Sequence, residues 1–317
     1  MSWDVIIPFL RPIEFLLRDP EVSDILVNGS TRVFAEKAGR LFEVPDVTIA
    51  EKTLRVAVRN IARVLGDDIS EERPLLDARL PDGSRVAAVF APCSVNGTTL
   101  AIRKFQSHRY DVQELVRVGT LTPAVLEILR TAVVTRQNIL ISGPTGAGKT
   151  TVLNALAALI GEDERVVIIE DTAEIQIDTR NLVRLEARRE QPGIPAVSVR
   201  DLLRTTLRLR PDRILVGEIR GMEAFDLLQA LNTGHRGTLS TTHANSAAES
   251  LERFATCVLM AQVNIAQRTV CRHIGYGIQL LVHLDRRDGR RHATEVVRVT
   301  GYDADRDHYL LETLYAA

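Results

Sequence analysis

An α/β protein in two domains is predicted by three features of the 317-residue sequence. At roughly 100 to 200 residues per domain, this length suits two units. The first hundred residues carry short strand-like runs around one amphipathic helix. From residue 121 onward, short apolar runs alternate with helical stretches, the pattern of a parallel sheet with crossover helices. The boundaries read as 1–105 for a smaller N-terminal α/β domain, 106–120 for a polar and weakly periodic linker, and 121–317 for the larger domain.

The elements follow in order. "SDILVNG" and "RVFAEK" are strand-like runs bounded by turn residues. Thr48 and Glu51 have the spacing of a capping box, and Leu54, Val58, Ile61 and Leu65 then recur at three- and four-residue steps as one helix face. "ARLPDGSRVAAVFAP" predicts a hairpin turning at Asp82-Gly83, and "TTLAIRKF" adds a strand. In the larger domain "NILISG", "RVVIIED", "RILVGE" and "GTLSTTH" are the strands. "IQLLVHLDRRDGRRHATEVVRVTGYD" predicts a C-terminal β-hairpin with its turn near Asp288-Gly289, and "HYLLETLY" a further strand.

Composition narrows the class. Forty basic against forty-one acidic residues leave a net charge of −1, so no global field draws the chain to nucleic acid or anionic lipid. Cys93, Cys257 and Cys271 are scattered without a C-x-x-C pair, which argues against a disulfide framework and a zinc site. The N-terminus has Asp4, Pro8 and Pro12 among its apolar residues and fits neither a signal peptide nor a span of about 20 apolar residues. A cytoplasmic protein that docks on a membrane complex is expected.

"NILISGPTGAGKT" carries the chemistry. Gly143, Pro144, Thr145, Gly146, Ala147, Gly148, Lys149 and Thr150 fill the G-x-x-x-x-G-K-[ST] spacing after an apolar strand and before the helical "TTVLNALAALI", which begins at Thr150 and Thr151. Glycines let backbone N–H groups close around phosphates, and the helix N-terminus adds its positive end. Lys149 is placed to reach the outer phosphates, and the Thr150 hydroxyl to ligate Mg²⁺.

Acids follow at strand ends, where open parallel sheets place their chemistry. "RVVIIEDTAEIQI" delivers Glu170 and Asp171, either as a carboxylate orienting a water on the γ-phosphate or as a helix cap or surface acid pair. "RPDRILVGEIRG", residues 210–221, ends in Gly217 and Glu218 where simpler phosphate-loop enzymes have aspartate. Mg²⁺ keeps several waters, so a longer acid one position on suits a magnesium-bound water; a structural role is the alternative. His243, after Thr241 and Thr242, is either a structural histidine or a γ-phosphate contact. Arg200, Arg204 and Arg208 stack like charges on one helix face, relieved by phosphates, by acids of a neighbouring subunit, or simply by solvent and Asp201. Arg220, beside Glu218, is the better candidate for a catalytic arginine.

Taken together, "GPTGAGKT", "IIEDTAEIQ", "LRLRPDRILVGEIRG" and "NTGHRGTLSTTHANS" closely resemble the Walker A, Asp-box, Walker B and His-box motifs of the secretion ATPases, in that order. This superfamily powers type II and type IV secretion, conjugative transfer and pilus assembly. The resemblance covers essentially the whole chain and implies a RecA-like P-loop NTPase core. It implies ATP and Mg²⁺ as cofactors, Glu170 as catalytic base, Glu218 as organiser of magnesium and water, and His243 as γ-phosphate sensor. It also implies homo-hexameric rings, peripheral to an inner-membrane secretion or pilus platform, with basic residues of the N-terminal lobe closing over the nucleotide. Arg85 and Arg103 sit where such residues are expected. The chain lacks the four-cysteine zinc motif and the longer N-terminal region common in type II secretion members. It looks more like the conjugal-transfer and tight-adherence pilus branch.

Two other classes use the same core. A nucleic-acid motor would need charge and aromatics along a strand-tracking path, and only 4% of residues are aromatic, which argues against direct nucleic-acid binding. An assembly scaffold would bind ATP without hydrolysing it.

Overall fold

The computed structural model describes residues 6–37, 39–105, 109–190, 193–287 and 289–317. Packing divides the chain into two units, residues 1–108 and residues 109–317.

In the first unit, β1 (Val22–Asn28), β2 (Arg32–Lys37), β3 (Arg40–Glu43), β4 (Leu75–Arg79), β5 (Arg85–Val89) and β6 (Thr99–Arg103) make one sheet in the order β3-β2-β1-β6-β5-β4. Every pairing in it is antiparallel. Ile25, Val27, Val86, Ala88, Leu100 and Ile102 alternate inward along their strands and share a core with Leu54, Ala57, Val58 and Ile61 of the helix α2 (Glu51–Val64). Fully burying each larger aliphatic chain contributes about 1.5–3 kcal/mol, enough to hold this helix whatever its intrinsic propensity. The short helix α1 (Glu14–Arg18) buries Leu16 and Leu17 in the same core.

The expected Thr48–Glu51 capping box does not form. Ala50 occupies the N-cap, so Glu51 is the first helical residue rather than the third. Its carboxylate instead accepts from Thr98 N at 3.0 Å and Thr98 Oγ1 at 2.6 Å, tying the helix to the chain entering β6. Gly97, at φ +95°, has no room for a Cβ, which would lie 2.8 Å from Glu51 Oε2.

The second unit opens inside the stretch expected as a linker. Residues 106–108 lie outside the described residues, but α3 (Val112–Arg117) follows, closed by a capping box between Asp111 and Glu114. Val112 and Leu115 pack into the core, a contribution too short to show a helical period in the sequence. Then come α4 (Pro123–Val134), β7 (Ile139–Ser142), α5 (Lys149–Ala157), β8 (Val166–Glu170), β9 (Leu182–Glu186), α6 (Val199–Thr206), β10 (Arg213–Ile219) and α7 (Glu223–Asn232). The chain continues through β11 (Leu239–Thr242), α8 (Ala247–Leu259), α9 (Gln267–Gly277), β12 (Leu280–Arg287), β13 (Arg290–Asp303) and β14 (His308–Ala316). Of the expected hairpin turn, Asp288 lies outside the described residues.

The strands form an eight-stranded sheet in the order β14-β13-β12-β7-β11-β10-β8-β9. From β12 to β9 all neighbours run parallel, and β13 is antiparallel to both its neighbours, β12 and β14. A parallel sheet must be covered on both faces, and the strands show it. In β7 and β8, Ile139, Ile141, Val166 and Ile168 face a core built with α3, α4 and α5, whereas Leu140, Val167 and Ile169 face one built with α6 to α9.

Arg213 at the start of β10 is 2% exposed. It is held by a two-pronged bond to Glu164, at 2.7 and 3.1 Å, and donates to Val133 O at 2.9 Å. The hydrogen bond from Arg213 keeps the Glu164 carboxyl below the usual range. A buried charge is tolerated when paired and bonded in this way, so this arginine of "RPDRILVGEIRG" belongs to the scaffold.

Candidate active site

The motif residues converge because their strands are neighbours. β7, β11, β10 and β8 are consecutive in the sheet and parallel, so all four C-terminal ends open on one edge. That edge receives Lys149 after β7, His243 after β11, Glu218 in β10 and Glu170 at the end of β8.

The loop between β7 and α5 turns through Gly143, Gly146 and Gly148 at φ +150°, +75° and +92°, values that favour glycine. Lys149 is 8% exposed, and Nζ donates to Gly143 O at 2.9 Å and Pro144 O at 3.0 Å. Burial pushes its pKa down, while Glu218 pulls it up and Arg220 pushes it down. Ala147 is buried and Thr150 and Thr151 are half-buried, whereas Pro144, Thr145 and Gly146 are exposed.

Lys149 Nζ also lies 3.3 Å from His243 Nδ1. Burial lowers the histidine's pKa, so the ring is neutral at neutral pH. An ammonium has only protons to give, which makes Nδ1 the acceptor and leaves the ring proton on Nε2. Nε2 is 2.9 Å from Glu218 Oε1, yet out of line for a hydrogen bond, and that oxygen is buried without a donor. The other oxygen, Oε2, accepts from Arg220 Nη2 at 2.7 Å. That hydrogen bond raises the pKa of Arg220 and keeps it protonated.

Gly217 acquires a structural reason. Val216 pairs with Ser240 and Ile219 with Thr242, so β10 carries one residue more than β11 between these pairs. Such a bulge re-aims the side chains around it. The carbonyl of Gly217 accepts from Thr241 Oγ1 at 2.6 Å. A Cβ on Gly217 would lie 3.0 Å from Glu170 Cγ, so the glycine gives the neighbouring acid its space. Replacing Gly217 with Ala is expected to displace Glu170, lowering stability by about 1–3 kcal/mol and phosphate release from ATP by more than about tenfold. Thermal denaturation and a turnover assay check this, and wild-type turnover would show that the contact does not matter.

Glu170 is 3% exposed. Its Oε1 accepts from Glu174 N and Ile175 N, both at 2.8 Å. These bonds favour the ionised form, but burial outweighs them and lifts the carboxyl to about 7. Asp171, by contrast, is exposed.

Three features escape the sequence reading. Glu174 is half-buried and acts electrostatically on both Glu170 and Arg220, which places a third carboxylate at this edge. Asn154 of α5 accepts from Gln176 N at 2.9 Å, tethering the Asp-box loop to the helix of the phosphate loop. A lone amide in the otherwise apolar "TTVLNALAALI" was its signal. Arg200 and Arg204 both grip Asp226 of α7, at 2.6 and 2.7 Å, so their relief comes from an acid of the same chain. Asp201 serves instead in a capping box with Ser198, and Arg208 lies beyond the end of α6.

Arg85 and Arg103 belong to the first unit and are cross-strand partners on β5 and β6. Arg103 Nε donates to Asp24 Oδ1 at 2.9 Å. Among the described residues, no group of three or more His, Cys, Asp or Glu side chains is arranged to hold a metal, and no helix is long and apolar enough to cross a membrane.

Residues 10–290 match the model of the type II/IV secretion system protein family. The chain is 35% identical over 299 residues to conjugal transfer protein TrbB of Rhizobium radiobacter, covering 93% of this chain and 88% of that one. It is 30% identical over 290 residues to type IV secretion system protein VirB11 of Bartonella henselae, covering 80% and 81%. The crystal structure of the Legionella pneumophila ATPase DotB is similar in fold, with a TM-score of 0.62 at 22% identity over 92% of this chain and 80% of that one.

Proposed function

The chain belongs to the type II/IV secretion system protein family and is an ATP hydrolase, and from that premise we propose that it works as the motor of a type IV secretion or conjugative-transfer machine. One observation supports the chemistry above all others: Lys149, His243, Glu218 and Arg220 form a continuous chain of contacts at one sheet edge. On the same strand as Glu218, Gly217 leaves room for Glu170 of the neighbouring β8. The proposed working form is a homo-hexameric ring at the cytoplasmic face of an inner-membrane platform, as the resemblance of its motifs to the secretion ATPases implies.

In this reading the loop from Gly143 to Thr151 cradles the phosphates and Lys149 leaves its own loop carbonyls for the phosphate oxygens. Neutral His243 presents a single proton from Nε2, suited to a γ-phosphate oxygen. Glu170, poised near neutrality, takes a proton from the attacking water. A buried carboxylate oxygen without a donor, Glu218 Oε1, fits a role toward Mg²⁺ or its water, and Thr150, next to Lys149 in the phosphate-loop motif, would supply a hydroxyl ligand. Bound Mg²⁺ would neutralise phosphate charge. Arg220 holds Glu218 in place, and Arg85 and Arg103 are the N-terminal residues that the resemblance to the secretion ATPases assigns to nucleotide binding.

A second assignment of the base is favoured by one observation. Glu170 has one oxygen committed to two backbone N–H groups, so it also serves to fix the 171–175 loop and with it Glu174. If Glu174 is the base, Glu174→Gln stops turnover, whereas Glu170→Gln, whose amide oxygen can still accept from Glu174 N and Ile175 N, leaves most of it.

Steady-state phosphate release by the purified chain with Mg²⁺ and ATP, together with native mass, tests the proposal. Turnover and a mass six times that of the subunit are expected. Alanine variants of Arg85 and Arg103 should fold normally and hydrolyse poorly. ATP bound without release would indicate a scaffold, and release that requires single-stranded nucleic acid with steep salt dependence would indicate a nucleic-acid motor.

A further inference from the structure

The phosphate loop has a neighbour that the chemistry above does not use. β12 pairs with β7, β13 pairs with β12, and the start of β13 lies against the outside of the loop. A Cβ on Gly143 would sit 2.3 Å from the carbonyl oxygen of Leu284 in β12. Arg291, the second residue of β13, donates from Nε to Gly146 O at 3.0 Å. Its stem crosses Gly148, where a Cβ would lie 3.1 Å from Arg291 Cδ. Gly143 and Gly148 therefore admit the close approach of the hairpin as well as the backbone turn.

The Gly146–Ala147 peptide is planar and trans, so its carbonyl and its N–H point to opposite sides. Fixing Gly146 O on the guanidinium outside turns Ala147 N–H inward, the side on which such loops collect phosphate oxygens. That N–H donates to Pro144 O at 3.3 Å, a long bond that a phosphate oxygen replaces with little loss. The guanidinium adds a positive charge on the same peptide.

We propose that Arg291 is a positioning residue for nucleotide binding, bracing the Gly146–Ala147 peptide from outside so that the loop is organised for the phosphate chain before ATP arrives. Preorganisation of this kind raises affinity by removing an ordering penalty from the binding step. The proposal rests on the ATPase reading. It also makes the β12–β13 hairpin part of the nucleotide site. Arg290 and His292, the flanking residues, line a pocket with Thr120 and Thr122 on the other side of the strand, and His292 Nδ1 lies 3.0 Å from Gly119 O. Arg290 thus carries the same charge one position away and provides the control.

Arg291→Met keeps the stem over Gly148 and removes the donor; Arg290→Met removes the same charge and leaves the loop contact. Titration of the full chain with fluorescent mant-ADP and Mg²⁺, alongside KM and kcat for ATP, reads the difference. For Arg291→Met, Kd and KM are expected to rise about tenfold with kcat within about twofold, and Arg290→Met to match wild type. Unchanged affinity in Arg291→Met overturns the proposal, and so does an equal loss in both variants, which would mean a general charge effect. Wild-type protein that does not bind mant-ADP would instead overturn the ATPase reading itself.

Discussion

Glu170→Gln is expected to lower kcat for ATP hydrolysis by about 10² to 10⁴-fold while leaving nucleotide affinity within about twofold. The substitution keeps shape, and the amide oxygen can still accept from Glu174 N and Ile175 N, so the Asp-box loop stays where it is. What disappears is basicity. Burial places this carboxyl at about 7, so wild-type kcat should climb between pH 6 and pH 8 as the base deprotonates. The same shift governs stability with a definite sign. An acid whose folded pKa is raised binds more protons folded than unfolded between its model value of 4.5 and about 7, so its contribution falls as pH rises through that window. The glutamine variant has no such slope. Its unfolding free energy relative to wild type should therefore improve by about 3 kcal/mol between pH 4.5 and pH 8, measured by denaturant titration at both. Undiminished turnover would remove Glu170 from the reaction, and a flat wild-type pH profile would remove it as the titrating base.

Lys149→Ala should do more, because it acts on binding as well as on chemistry. The ammonium is nearly buried, and charge in a partly desolvated site acts on phosphate far more strongly than in water. Loss of mant-ADP affinity by about 100-fold and turnover below about 1% of wild type are expected. Stability should move little: two loop carbonyls lose their donor, but the desolvation of a charge is also relieved. Equilibrium titration checks the first effect and thermal unfolding the second. Near-wild-type binding would sink the assignment of this loop to ATP.

The central strands were legible because each is a short apolar run ending in a motif, and β7, β8, β10 and β11 fall where those runs fall. β9 was not, since it lies at the sheet edge with a half-exposed pattern that resembles neither alternation nor a buried run. α3 is too short to show a period. The Thr48–Glu51 spacing misled because helix start is decided by tertiary packing, here by Glu51 reaching Thr98 from 47 positions away. At the site, Lys149, Glu170, Glu218 and His243 could be named from residue type and strand end. The partners of these residues could not. Nothing in "LVGEIRG" announces that Gly217 faces Glu170, or that its carbonyl needs Thr241. Arg200 and Arg204 displayed their like charges plainly, while the acid between them comes 22 residues after Arg204 and on another helix.

β7 pairs with β11 on one side and β12 on the other, and Lys149 meets His243 across 94 positions of chain. During synthesis the phosphate loop is thus made long before either flanking strand exists. Contacts this distant in sequence form late, after the entropy of closing the intervening chain has been overcome. The nucleotide pocket is consequently among the last things the domain completes, and ATP stabilises only finished copies. A nascent chain that ends before β10 carries the loop but has neither Glu218 nor His243 to complete the site.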